Sequence, residues 1–393
     1  MPATSSQGGP GLGIDVEPVD PAAPIRLLIV VDGLGATQQI SFSKPLETWR
    51  AHGAVRLRLI DEKSLERVRV HGERVLRDAL AEEFRRLQPT AVILSRYGGP
   101  DYPILFRLAR EHGAPVVCHL DDDLFEVPIC LGAELYRRYR HPRRVHALYR
   151  IAEAADVVYA STSALGRRVK ERLNPRRLVV AGIYVGGESG EVSQPADDPD
   201  GIVHVGYMAS LGHAFDLELA AAAIIKVGQQ LSRVRFHLFG SICRSAVAQE
   251  LRSHVTFHDR VSGSYADFRQ TLGSLGWHIG LAPLRNHDFN VCKAPTKWLE
   301  YTDAGIATLA SDHPVYRSIE REGALAASAD DDWEQTLAAL VSDPERRRRL
   351  ATRAAQLVRD EYPWSRLEQQ VIDLLAQLPP ATGVESASVS WSL

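Results

Sequence analysis

The sequence predicts an α/β protein made of two doubly wound domains. Three observations carry that expectation. Continuous apolar runs recur along the chain, with segments of helical periodicity between them. The alternation stops once, at a stretch rich in Gly, Ser, Asp and Pro, and then restarts. A length of 393 residues is too great for one ordinary core and suits two of similar size.

Residues 1–24 have neither the basic start nor the apolar segment of a signal peptide, and read as a disordered tail. Order is expected to begin at "IRLLIVVDGLG", whose run from Leu27 to Val31 suits a parallel strand covered on both faces. It ends in Asp32, Gly33 and Gly35, a flexible turn at a strand's carboxyl end. Open α/β sheets gather their ligands there. The strands "VRLRLID", "AVILSRY", "APVVCHLD" and "DVVYAST" fill out a first domain over 25–185. Helical patterns such as "ERVLRDALAEEFRRL" and "ILFRLAREHG" separate them. Residues 186–200 read as a linker. The second domain, 201–377, opens with "IVHVGYM" and continues through "VRFHLFG", "HVTFHD", "WHIGLAPL" and "IATLAS". Helices are expected from near Asp216, Tyr265 and Pro295. Two amphipathic helices, "PERRRRLATRAAQLVRDEY" and "SRLEQQVIDLLAQL", close the domain, and 378–393 form a loose tail. Two such domains facing each other would enclose a cleft lined by the turns after each strand.

A net charge of −3 gives no reason to expect a nucleic-acid partner. The cysteines (Cys118, Cys130, Cys243 and Cys292) lie far apart with no CxxC pair. That argues against a zinc cluster or a disulfide framework and suits a reducing cytoplasm. No apolar run approaches the roughly 18 residues of a membrane span.

The stretch "NVCKAPTKWLEYTDAGIATLAS" is the most informative. Pro295 suits the first position of a helix and Gly305 suits its end. Lys293 and Lys297 add full charges to the positive end of that helix, against the helix dipole, and a bound diphosphate would offset the conflict. Glu300, one turn deeper, is placed to accept from two ribose hydroxyls. The same residues also suit an ordinary surface helix with a Lys–Glu pair. In "VGYMASLGHAFDLELA" a strand that ends at Gly206 leads through a small-residue loop (Ala209, Ser210, Gly212) into a helix near Asp216. That is either a phosphate cradle or a tight βα turn, with His213 a ligand contact or a loop residue.

In the first domain "CHLDDDLFEVP" sets Asp121, Asp122 and Asp123 directly after a strand. Three carboxylates attract hard cations, or cap a solvated loop. "SRYGGPDYP" places Arg96 and Tyr97 after another strand, on the acceptor side with Gly33 and Gly35. "YRRYRHPRRVHALYR" is basic with interleaved tyrosines. It suits a phosphate-bearing acceptor, an anionic membrane surface, or simply a solvated face.

Taken together, "VGYMASLGHAFDLELA", "HLFGS", "YADFRQTLGSLGWHIGLAPL" and "NVCKAPTKWLEYTDAGIATLASDHPVYR" resemble the nucleotide-sugar-binding half of GT-B glycosyltransferases, specifically the large retaining family 4. The resemblance covers about 201–376 and extends more loosely through "ATQQISFSKPLE" and "HLDDDLFEVP". It implies two Rossmann-like domains and transfer of a sugar from a nucleotide diphosphate sugar to a hydroxyl of a glycan, lipid-linked or protein acceptor. Anomeric configuration would be retained, and the leaving phosphate would take the acceptor's proton. It further implies no metal or other cofactor and a role in bacterial surface glycan or glycoconjugate synthesis; the expected location is the cytoplasm, with the inner face of the membrane as an option from the basic stretch.

Residue by residue, Glu300 matches the second glutamate of the family's E-x7-E motif, which binds ribose, and Lys297 matches a phosphate-facing lysine. Gly206 to Gly212 match the phosphate-side loop. Phe239 and Gly240 end the strand whose following loop borders the base pocket, and Val261 stands where the base edge is met. Asp121 falls near the position where relatives place a histidine beside the donor sugar, so Asp121, Asp122 and Lys297 are the expected catalytic residues. The chain departs from the pattern at Cys292, which replaces the first glutamate. It departs again after the Gly-rich turn, where Ser210 and His213 stand in place of an Arg and Lys pair and Lys293 would supply positive charge. Two alternatives share the fold: a nucleotide-sugar 2-epimerase and a non-catalytic binding subunit.

Overall fold

The structure is a computed structural model. It describes residues 12, 23–183, 195–196, 199–242, 244–261, 263–317, 319, 325–327 and 330–379. Nearly all of the expected N-terminal tail, most of the expected linker, Cys243 and the chain beyond 379 lie outside the described residues.

The chain divides into two compact units. The first takes in the chain up to Phe125, then His141–Ala181 and the chain from Glu368; the second takes in Glu126–Arg140 and Gly182–Leu367. Each carries a six-stranded parallel sheet, the α/β architecture expected from the alternating pattern.

In the first unit the strands are β1 (Ile25–Val31), β2 (Val55–Asp61), β3 (Ala91–Ser95), β4 (Val116–Leu120), β5 (Val157–Ala160) and β6 (Leu178–Val180), in the order β2-β1-β3-β4-β5-β6. Leu27 to Val30 have no exposure at all, because both faces of the sheet are covered. The helix Glu73–Leu87 buries Leu76, Leu80, Phe84 and Leu87 along one stripe. Register sets the site: Val31 pairs with Ser95, and Ser95 with His119. Residues 32, 96 and 121, just past those partners, therefore emerge at one level.

In the second unit the strands are β7 (Val203–Ala209), β8 (Val234–Gly240), β9 (Val255–Asp259), β10 (Ile279–Ala282), β11 (Ala307–Ser311) and β12 (Leu325–Ala327), in the order β12-β11-β10-β7-β8-β9. Val203, Val205, Tyr207, Phe236 and Leu238 pack one face against Leu217, Ile224 and Val227 of the helix Ala214–Gln230 and Leu337 of the helix Asp330–Ser342. On the other face Gly206 pairs with Gly280. A Cβ on Gly206 would overlap the Trp277 ring, and one on Gly280 would meet the Tyr301 ring at 2.6 Å. The two glycines let these rings lie flat against the strands. On the Gly206 face His204 Nδ1 lies 2.9 Å from His237 Nε2, and His237 Nδ1 lies 3.0 Å from His258 Nε2, a line of imidazoles across three strands.

Boundaries differ from expectation in three places. Gly206 lies inside β7, which continues to Ala209, so it belongs to the strand and not to a phosphate loop. Pro295 is the cap, not the first residue, of the helix Thr296–Asp303, and Gly305 follows it at φ +73°. The helix Trp364–Ala376 is divided between the units at Glu368, whereas the sequence pattern suggested one closing element of a second domain.

Candidate functional site

Functional side chains gather in two clusters, one at the carboxyl ends of the strands in each unit.

The first cluster is built on Arg96. Its backbone is left-handed, with φ +55°, a conformation that disfavours a residue with a Cβ by about 1–2 kcal/mol. Neighbours on both sides hold it. Arg96 N–H donates to His119 O at 2.9 Å, and Arg144 Nη2 donates to Arg96 O at 3.3 Å. The guanidinium meets three carboxylates: Asp32 at 3.3 Å, Asp122 at 3.1 Å, and Asp121 through Nη1. The Thr37 hydroxyl donates to the second Asp121 oxygen at 2.8 Å. Burial works against the Asp121 charge, but Arg96, aided by Thr37, holds the carboxyl below its usual range. Beneath it His119 is fully buried, 2.9 Å from the Ser95 hydroxyl, and burial pushes it down to about 4.

The acidic triplet splits. Asp121 and Asp122 turn to Arg96, while Asp123 is buried against Arg172 at 2.5 Å. Tyr97, expected on the acceptor side, is instead a core residue. It is 1% exposed, its hydroxyl donates to Asp101 at 3.4 Å, and its ring occupies the space a Cβ on Gly99 would need. Gly33 and Gly35 lie in an exposed turn before the short helix Ala36–Gln38. The basic stretch is partly absorbed into the fold, since Arg144 clasps both Glu62 oxygens at 2.8 and 2.9 Å.

The second cluster lies where β7 gives way to the helix Ala214–Gln230. Ser210 is exposed and Gly212 is buried; a Cβ on Gly212 would stand 3.0 Å from Leu135 Cδ1 and 3.4 Å from Leu131 O. The segment 126–140 therefore packs on this turn, although its sequence lies between β4 and β5. His213 caps the helix, with Nδ1 3.0 Å from Asp216 Oδ2 and 3.5 Å from the Lys297 ammonium. Asp216 is 1% exposed and also accepts from Arg285 N–H at 3.0 Å and Asn290 Nδ2 at 3.3 Å. Burial and the Lys297 charge push His213 down to about 4, so its ring is neutral and its Nδ1–H donates to Asp216.

Lys297 lies 5.7 Å over the Tyr207 ring, and Lys293 lies 4.9 Å over the Phe289 ring. Glu300 is buried on the inner side of its helix and accepts from the Tyr265 hydroxyl at 3.0 Å. Burial raises it to about 7. Tyr265 and Phe239 both stack on Phe268, at 5.8 and 5.6 Å. Gly240 has φ +116°, and its side-chain position is filled by Ala209 O, so only glycine turns the chain there. Val261 is half-buried in the loop after β9. Cys292 is wholly buried, its thiol 3.8 Å from Asp288 O. Ser210, His213, Lys293, Lys297 and Glu300 thus belong to one unit, and the turn, two cations and a buried acceptor can engage an anion and hydroxyl donors.

Residues 221–373 match a family model described as glycosyl transferase-like. Among curated proteins none matches the sequence. Sucrose-phosphate synthase from Thermosynechococcus elongatus is similar in structure, with TM-score 0.64 and 14% identity over 90% of this chain and 98% of that one. HepE from Anabaena, in complex with UDP and glucose, gives 0.60 and 11% over 90% of this chain and all of that one. An α,α-trehalose-phosphate synthase (UDP-forming) from Burkholderia vietnamiensis gives 0.57 and 13% over 90% and 100%. The fold is GT-B.

Several participants were missed from sequence. Thr37 lies in "ATQQISFSKPLE", where no local pattern marks it. Asp216 was read only as a helix start, though an acidic residue in a first turn is itself a cap signal. Tyr265 also marked only a helix start; its spacing from Glu300 carries no local pattern.

Proposed function

We propose that the protein transfers a sugar from a nucleotide diphosphate sugar to an acceptor hydroxyl, with retention of configuration. One observation carries this reading. The second unit sets the Lys293 and Lys297 cations at the start of a helix and the buried Glu300 carboxyl one turn inside it, within the region that matches glycosyl transferases. Phosphates and ribose of one nucleotide need that pair of chemistries at that order of spacing. In this reading the Ser210–Gly212 turn, Lys293 and Lys297 take the diphosphate and Glu300 takes the ribose. Gly240 and Val261 border the base. UDP in the HepE complex supports a uridine nucleotide as the first donor to try. Asp121 and Asp122 are proposed to contact sugar hydroxyls, since Arg96 holds both carboxylates in place and their oxygens can accept. A bacterial surface glycan or glycoconjugate is the proposed acceptor class, in the cytoplasm at the inner membrane face.

A second reading, nucleotide-sugar binding without transfer, draws on Cys292. It stands where the resemblance expects the donor-sugar glutamate, and its thiol is wholly buried. The test is a panel of UDP-, GDP- and ADP-sugars incubated with hydroxyl acceptors, read as acceptor-dependent release of the nucleoside diphosphate. Release with a glycosylated product supports transfer. Donor-stabilised melting with no release across the panel supports the binding reading.

A further inference from the structure

Glu300 is a buried carboxyl with an unusual set of neighbours. Among the described residues one oxygen, Oε1, accepts from Tyr265, and no hydrogen bond falls on Oε2. The cations nearby are turned to other groups. Arg269, on the helix Tyr265–Ser274, gives Nε and Nη2 to Asp303 at 2.8 and 2.5 Å. The Lys297 ammonium lies against His213 and the Tyr207 ring. The titratable groups facing Glu300 are therefore Tyr265 and Arg269 from that helix, Lys297, Tyr301 and Asp303 from its own, and Tyr316 from the short helix Pro314–Arg317. A carboxylate here has lost its water without gaining a direct ion pair, so it holds a proton near neutrality. Two hydroxyl donors arriving together would reverse that balance, because they stabilise the ionised form.

We propose that Glu300 gives up its proton when the ribose hydroxyls of a nucleotide reach it, and that Tyr265 is the positioning residue that fixes Oε1 and leaves Oε2 for the ligand. This rests on the function proposed above. The carboxyl O–H bond breaks, the proton passes to solvent, and the carboxylate accepts the ribose O–H groups; no bond of the nucleotide changes. Burial, with a smaller push from the Asp303 charge, raises the group to about 7 against the pull of Tyr265, Lys297 and Arg269. Affinity should therefore rise with pH toward neutrality, about tenfold per unit below the midpoint, and level off above it.

The experiment is calorimetry of UDP, GDP and ADP with wild type, Glu300→Gln and Tyr265→Phe between about pH 5.5 and 8.5, in buffers of different ionisation enthalpy. Glutamine keeps the shape and has no proton to lose. The phosphates ionise in the same range, but that contribution is common to all three proteins. The ratio of wild-type to Glu300→Gln affinity is expected to climb about tenfold per unit and then level off. Wild type should release about one more proton per nucleotide at the acid end. Tyr265→Phe removes a donor to the carboxylate, so its levelling-off point should move to higher pH, a change that a merely structural role would not produce. Should a variant fail to fold, the matching nucleoside, which has no phosphate to ionise, is titrated into wild type alone and should still release a proton near pH 6.5. Parallel profiles with equal proton counts, or nucleoside binding without proton release, would overturn the inference while leaving nucleotide binding in place. Absence of binding at every pH would remove both.

Discussion

Lys297 illustrates how one charge organises its neighbours. Its ammonium stands 3.5 Å from His213 Nδ1, on a ring already disfavoured as a cation by burial. Replacing Lys297 with Ala should raise the His213 pKa from about 4, which NMR titration of the imidazole would show. In the proposed transfer the same substitution should lower turnover by a larger factor than it weakens nucleotide binding, since charge would build on the diphosphate as the sugar bond breaks. Ligand-free melting should stay near wild type, because the ammonium opposes its own helix dipole. Full activity with a large loss of ligand-free stability would mark Lys297 as structural. The residue types of this cluster were legible because lysines at a helix start conflict with its dipole. Their partners were not. Tyr265, Asp216 and Asn290 reach the site only through the fold, and Tyr97 looked like a lining residue until its ring proved to be packed over Gly99.

At the scale of elements, the second sheet depends on two missing side chains. Gly206 and Gly280 pair side by side and let Trp277 and Tyr301 lie on them. Gly206→Ala should destabilise the protein by about 1–3 kcal/mol or more, because the ring has nowhere to go, and urea unfolding would measure it. The reading of Gly206 as a phosphate glycine failed for this reason: a glycine under an aromatic ring and a glycine beside a phosphate look alike in sequence. The imidazole line beside them makes a second prediction. Burial, aided by His204 and His258, pushes His237 down to about 4 from 6.5. The unfolded chain therefore binds this proton first. Stability from this group is complete above about pH 6.5 and is lost as pH falls toward about 4, with no further loss below. Urea midpoints across that window should drop, and His237→Gln should flatten part of the slope. An unchanged slope would mean the line carries no linkage.

For the whole molecule, two α/β units were legible because buried parallel strands print as continuous apolar runs separated by helical patterns. The regrouping of segments was not. Glu126–Arg140 belongs with the second unit because it packs on the Gly212 turn, and the chain from Glu368 belongs with the first. Neither contact leaves a local pattern. The fate of the acidic triplet belongs to this scale too. Asp121 and Asp122 turn to Arg96 while Asp123 turns to Arg172. Transfer is accordingly expected to survive EDTA. Activity lost with chelator and restored by magnesium or manganese would turn the triplet into a metal site.

The central claim is that the second unit captures a nucleotide through Glu300, and calorimetry of UDP, GDP and ADP with wild type and Glu300→Ala at one pH tests it most directly. Wild type should bind at least one of the three. Loss of a hydrogen-bonded charged acceptor should weaken that binding by about 1.5–3 kcal/mol, more than it lowers ligand-free stability. Equal affinity in the two proteins, or no binding by wild type, would contradict the account.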